Sequence, residues 1–113
     1  MTRIQFTYPE MAEKICSGEF RLRVEGHAHY APKGQDIVCS AISVLTFTFI
    51  HYLESCGIRY KVKMDDEKGI VDLSVSFKIQ KVKDAFDFVM IGYQAIADTY
   101  PGFVECSKVY QTR

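Results

Sequence analysis

The stretch Ile58-Arg59-Tyr60-Lys61-Val62-Lys63-Met64-Asp65-Asp66-Glu67-Lys68-Gly69-Ile70-Val71-Asp72-Leu73-Ser74-Val75-Ser76-Phe77-Lys78-Ile79 decides the fold. Ile58, Tyr60, Val62 and Met64 alternate with Arg59, Lys61 and Lys63, and from Val71 to Ile79 apolar residues again take every second place. A period of two describes a strand with one face buried and the other wet. The polar turn Asp65 to Gly69 joins the two runs, so they read as a β-hairpin. A sheet with one wet face needs a covering layer on the other, and the flanking sequence supplies one.

Upstream, roughly Ile37 to Ser55 sets Val38, Ala41, Ile42, Leu45, Phe49, Tyr52, Leu53 and Cys56 on one stripe at helical spacing. Gly57 is placed to stop that helix as the C′ residue. Downstream, Val82, Phe86, Val89, Met90, Tyr93, Ile96, Ala97 and Tyr100 form a second stripe, ended by Pro101-Gly102. Farther out, Ile4, Phe6 and Tyr8 make a short opening strand that Pro9 ends. Phe20, Leu22 and Val24 make a second strand, expected to pair antiparallel with the first. Met11 to Gly18 fits a helical turn or an irregular loop equally well, and about Phe103 to Tyr110 reads as a closing strand. The order β-β-α-β-β-α-β predicts an α+β fold of two layers: a mostly antiparallel sheet of about five strands with two helices on one face. No linker, repeat or low-complexity segment interrupts residues 1–113, so a single domain is expected.

Composition narrows the function classes. A chain of 113 residues that is 48% hydrophobic can bury one core. The net charge of +0 and pI near 6.8 give no global field for nucleic acid or an anionic membrane. Arg21, Arg23, Arg59, Lys61 and Lys63 are diluted by Glu25, Asp65, Asp66, Glu67 and Asp72, which favours a solvated sheet face or a subunit interface. The aromatics fall on the apolar stripes, as core residues do. No apolar run approaches membrane-spanning length, and residues 1–9 lack a signal-peptide layout. The cysteines, Cys16, Cys39, Cys56 and Cys106, make no short-spaced pair, so a reduced, cytoplasmic protein is expected.

Chemistry concentrates between the second strand and the first helix. Gly26 to Gln35, with Pro32 and two glycines, is irregular backbone. Asp36 is an N-cap candidate whose carboxylate accepts from Val38 or Cys39 N–H. Cys39 then sits in the first turn, where the helix dipole is expected to lower a thiol pKa. His27, on a loop able to fold back over the helix start, completes a Cys–His pair for nucleophilic catalysis. Plainer readings stand beside each of these. A lone helical cysteine is usually core packing, the reading given to Cys16, Cys56 and Cys106, and a loop histidine is often only surface. Ser43, one turn after Cys39, either supports the site or bonds its own helix. Asp36 either caps only or also orients His27. His29 is expected to point away from His27 towards solvent, by strand-like alternation. Zinc held by Cys16, His27, His29 and Cys39 matches no compact ligand spacing, so no metal or other cofactor is expected.

Gly26-His27-Ala28, Tyr30-Ala31, Gly34, Asp36-Ile37-Val38-Cys39 and Ala41 through Ser43 resemble the signature of the bacterial ribosomal-processing cysteine proteases, the YsxB-like family. Ile91-Gly92, Ala95-Ile96 and Tyr100-Pro101 resemble its second helix. His29 departs from the pattern, where a small residue is usual. The resemblance implies a cysteine endopeptidase with Cys39 as nucleophile and His27 as base, and Asp36 and Ser43 as supporting candidates. It also implies a mobile substrate loop flanked by Gly26 and Gly34. The implied substrate is a short N-terminal extension on a large-subunit ribosomal protein, cut after an aromatic residue, or a related phage capsid or scaffold protein. A homodimer is implied as well, while the absence of a direct nucleic-acid or membrane partner is the expectation from charge and composition. The rival expectation is a non-catalytic module of the same fold that binds a ribosomal or phage partner.

Overall fold

A computed structural model describes residues 1–9, 18–32, 34–77 and 80–110. Its elements run β1 (Thr2–Tyr8), β2 (Gly18–Glu25), α1 (Ile37–Ser55), β3 (Tyr60–Asp65), β4 (Ile70–Phe77), α2 (Gln80–Thr99) and β5 (Val104–Tyr110). The undecided segment after Pro9 falls outside the described residues except for Gly18, which starts β2. Lys78 and Ile79 fall outside them too.

The five strands form one sheet in the order β3-β4-β2-β1-β5. Three of its four pairings are antiparallel, including the expected β1–β2 pair and the β3–β4 hairpin. The fourth is parallel: β5 lies beside β1, with Thr2 opposite Val104 and Tyr8 opposite Tyr110. The sheet is therefore mixed, as an α+β fold allows. A helix separates β5 from the hairpin, and β5 reaches the free edge of β1 running in β1's own direction.

Alternation decides which face is covered. In β1, Thr2, Ile4, Phe6 and Tyr8 are buried while Arg3 and Gln5 are exposed. Phe20, Leu22, Leu73, Val75 and Val104 join them in the core. The helices contribute Val38, Ile42, Phe49 and Leu53 from α1 and Val82, Phe86, Val89 and Tyr93 from α2. Phe6 meets Phe86 edge-on at 4.8 Å between ring centres, one of several aromatic contacts that lock sheet to helices. On the wet face Asp72 binds Arg21 at 2.5 Å and Arg23 at 2.9 Å. Arg21 and Arg23 there are neutralised in place.

Helix α1 departs from expectation in two ways. Thr46 and Ile50 are buried beside the foreseen stripe. Thr46 manages this because its hydroxyl donates to the Ile42 carbonyl, 2.8 Å, and also pairs with the Tyr93 hydroxyl. By length and composition (19 residues, mean hydropathy 1.6), α1 would also suffice to cross a membrane, contrary to the expectation that no run comes close. Here one face of it lies on the sheet. It ends as foreseen: Gly57 at φ +68° donates to the Glu54 carbonyl, and Ile58 N–H reaches the Leu53 carbonyl at 2.9 Å.

Candidate active site

The site forms where the loop after β2, the start of α1 and the β3–β4 turn meet. His27 and Cys39 both line an inner cavity of about 180 Å³ and an outer cleft of about 780 Å³. Ser43 lines both as well. The inner cavity has an apolar floor that includes Ile42, Phe47, Met64 and Val71. His29, Asp36, Asp66 and Glu67 border the outer cleft.

Asp36 organises the corner more fully than a cap requires. Its Oδ1 accepts from Val38 N–H and Cys39 N–H, each at 3.0 Å. Its Oδ2 accepts from Tyr30 N–H at 2.9 Å and Ala31 N–H at 3.3 Å. One carboxylate thus ties the loop to the helix start. Burial raises its pKa, but the N–H groups of Cys39, Ala31 and Tyr30 outweigh that and hold the carboxyl below its ordinary range. Tyr30 is pinned from its other end, its ring 5.3 Å from those of both Tyr100 and Phe103.

The N–H donors of Val38, Cys39 and Ser40 are already engaged: Asp36 Oδ1 accepts from Val38 and Cys39, and Ser40 N–H bonds the Asp36 carbonyl at 3.1 Å. The thiol corrects an expectation, for Cys39 does not have a lowered pKa. Burial pushes the thiol up, the Ala28 N–H pulls it down, and the Asp36 carboxylate pushes it up again by charge and by accepting a hydrogen bond from its S–H. The net direction is upward, first because the thiol is partly buried and then because the cap's own negative charge lies beside it.

His27 is exposed, and its Nε2–H donates to the Glu67 carbonyl at 3.0 Å. No bond joins it to Asp36, whose oxygens accept from four main-chain N–H groups and from the Cys39 thiol. Ser43 makes no hydrogen bond among the described residues, whereas Ser40 bonds its own helix through the Asp36 carbonyl. His29 is exposed but does not point opposite to His27: the rings lie 6.0 Å apart on one cleft wall. Its φ of +57° breaks the extended alternation from which the opposite direction was inferred. Gly26 is fixed rather than loose, since a Cβ there would lie 2.6 Å from the Met1 carbonyl oxygen. Gly34, at φ +89°, faces open space.

Among the described residues no three His, Cys, Asp or Glu side chains converge as metal ligands. Cys16, part of the conceivable zinc set, is outside them. Cys106 packs against the core as foreseen, while Cys56 is the half-buried C-cap of α1. The Glu67 carbonyl and the Ala28 N–H were invisible in the sequence, because main-chain groups leave no residue-type signal.

A family model described as cysteine protease Prp matches residues 1–105. A ribosomal processing cysteine protease Prp of Mycoplasma pneumoniae is 30% identical over 91 residues, covering 80% of this chain and 89% of the relative. Its counterpart in Mycoplasma genitalium is 33% identical over 95 residues, covering 80% and 90%. Among solved structures, an essential ribosomal processing protease Prp from Staphylococcus aureus, with a covalently linked product peptide, superposes with a TM-score of 0.79 at 20% identity. It covers 98% of this chain and 100% of its own. A Streptococcus mutans protein superposes at 0.75 with 24% identity, covering 98% and 96%.

Proposed function

The chain belongs to the cysteine protease Prp family, and from that premise we propose that Cys39 is its nucleophile and His27 its general base. One observation carries the assignment: both side chains line the same inner cavity and the same cleft at the start of α1. His27 takes the thiol proton as Cys39 Sγ attacks the scissile carbonyl carbon, then delivers it to the leaving amine. Water hydrolyses the resulting thioester and regenerates the thiol. Asp36 shapes the corner through main-chain bonds, and Ser43 contacts the substrate.

The substrate is an N-terminal extension on a large-subunit ribosomal protein, a reading supported by the ribosomal processing role in the names of the Mycoplasma relatives. A phage capsid or scaffold protein is a related alternative target. The apolar floor of the inner cavity suits an aromatic residue before the cut. With His27, Tyr30 and Ala31 already held, the part of the loop around Gly34, which faces open space, is the part that orders over bound substrate. The three thiols described, Cys39, Cys56 and Cys106, are free, which suits a cytoplasmic site of action.

Two copies pair through α2. Its outer face carries Phe88 and Ile91, 77% and 67% exposed, inside a stripe of exposed Lys81, Asp84, Ala95 and Asp98. An antiparallel pairing about a two-fold axis between 88 and 91 sets Phe88 against Ile91 and Lys81 of each copy opposite Asp98 of the other.

The assignment is tested with a peptide bearing an aromatic residue before the scissile bond. Cys39→Ala and His27→Ala are each expected to fold normally and lose cleavage. Retained turnover in a purified, folded Cys39→Ala protein would defeat it.

A further inference from the structure

His27 is held by a turn that belongs to a different part of the chain from the loop that carries it. Its Nε2 lies 3.0 Å from the Glu67 carbonyl oxygen. A carbonyl can only accept, so Nε2 carries the proton and Nδ1 is the bare nitrogen of the neutral ring. The turn comes this close because Gly69 has no side chain. A Cβ there would lie 3.0 Å from His27 Cε1 and 2.9 Å from the Gly26 carbonyl oxygen, and the φ of +64° already favours glycine. The turn is itself pinned: Gly26 N–H donates to the Gly69 carbonyl at 3.0 Å, and Lys68 N–H donates to Asp65 Oδ1 at 3.1 Å. Asp36, the side chain that sequence reasoning offered as orienter, accepts instead from four main-chain N–H groups and from the Cys39 thiol.

We infer that the β3–β4 turn is the orienting partner of His27. The Glu67 main-chain carbonyl fixes the Nε2–H tautomer, and Gly69 is the positioning residue that lets the turn reach the ring. The inference rests on His27 being the base and adds which nitrogen acts. Nδ1 takes the proton from Cys39 Sγ–H, and Nε2–H stays on the Glu67 carbonyl through the cycle. The proton on Nδ1 then passes to the leaving amine. A carboxylate in this role would fix the same ring. A carbonyl does so without a second negative charge beside a thiol that must ionise.

Histidine-nitrogen NMR on the full chain reads the tautomer directly. The neutral His27 ring is expected to carry its proton on Nε2, and an Nδ1–H tautomer overturns the inference. Gly69→Ala, which pushes the turn off the ring, is expected to give mixed His27 tautomers. It is also expected to lower kcat about 10²-fold with KM little changed, the order expected for a catalytic group displaced by about 1 Å. A folded Gly69→Ala protein with the native tautomer and native kcat equally overturns it. If Gly69→Ala fails to fold, the tautomer of the unsubstituted protein decides alone. Activity in His27→Ala would instead remove the assignment of the base, while the spectrum still reports the turn's hold on the ring.

Discussion

The thiol of Cys39 is set by opposing main-chain and side-chain charges, and its direction makes a measurable claim. Since burial and Asp36 hold its pKa above the ordinary thiol value, the resting site is a neutral thiol at neutral pH. Alkylation by iodoacetamide is expected to accelerate as pH rises past about 8.5, the ordinary thiol pKa, rather than to plateau in the acid range. A plateau below neutrality would mean a preformed thiolate and would contradict the charge balance described. Asp36→Asn removes the nearby negative charge and is expected to shift that profile to lower pH. The same substitution costs stability: an amide supplies one acceptor oxygen where the carboxylate uses two, so it cannot serve all four N–H donors. Asp36→Ala is expected to lose more than the ~0.5–2 kcal/mol of a simple cap. The carboxyl is depressed in the folded state, so its stabilising effect is present above the unfolded-state pKa and fades as pH falls through the lower folded value. Thermal midpoints titrated downward are therefore expected to show this loss only below about pH 4, near the ordinary Asp value, and to lose that acid limb in the Ala variant.

At the scale of elements, the loop and the turns are where sequence and structure part company. The strands and helices were legible because one wet face imposes a period of two on the sheet and a stripe on each helix. Residues such as Phe6, Leu22, Leu73, Phe49 and Phe86 therefore announce their positions. The cap at Asp36 and the stop at Gly57 were legible too, each being a residue type chosen for one backbone task. The direction of β5 was not, since alternation is the same for parallel and antiparallel neighbours. Neither was the φ of His29, which sequence reasoning treated as extended. A histidine in the left-handed region carries about 1 kcal/mol of strain. His29→Gly is expected to recover part of it in thermal midpoint, less the entropy that glycine adds to the unfolded chain. Turnover in that variant is expected to stay the same or rise. Greatly reduced turnover would give His29 a part in catalysis. The opposite experiment on α1, Gly57→Ala, forces a Cβ onto a left-handed C′ position and is expected to cost about 1 kcal/mol.

At the scale of the whole molecule, Phe88 and Ile91 on α2 are the most exposed large apolar side chains among the described residues, and the pairing proposed for them is self-complementary. Sedimentation is expected to give a dimer for the native chain and a monomer for Phe88→Glu with Ile91→Glu, with the fold kept. A monomeric native chain would discard the α2 pairing without touching the catalytic assignment. The parallel seam between β1 and β5 has another consequence, for the order in which the protein assembles. It joins the first strand to the last, so chain closure there spans nearly the whole sequence, and contacts so distant form late and slowly. Gly26, beside His27, leans on the Met1 carbonyl, and Thr2 donates from its hydroxyl to the Gly26 carbonyl and from its N–H to the Phe103 carbonyl. The base is thus braced by the very strand whose outer partner is made last. On the ribosome, a growing chain would carry its thiol long before it carried a finished site. Proteolytic competence would arrive only once β5 has joined β1.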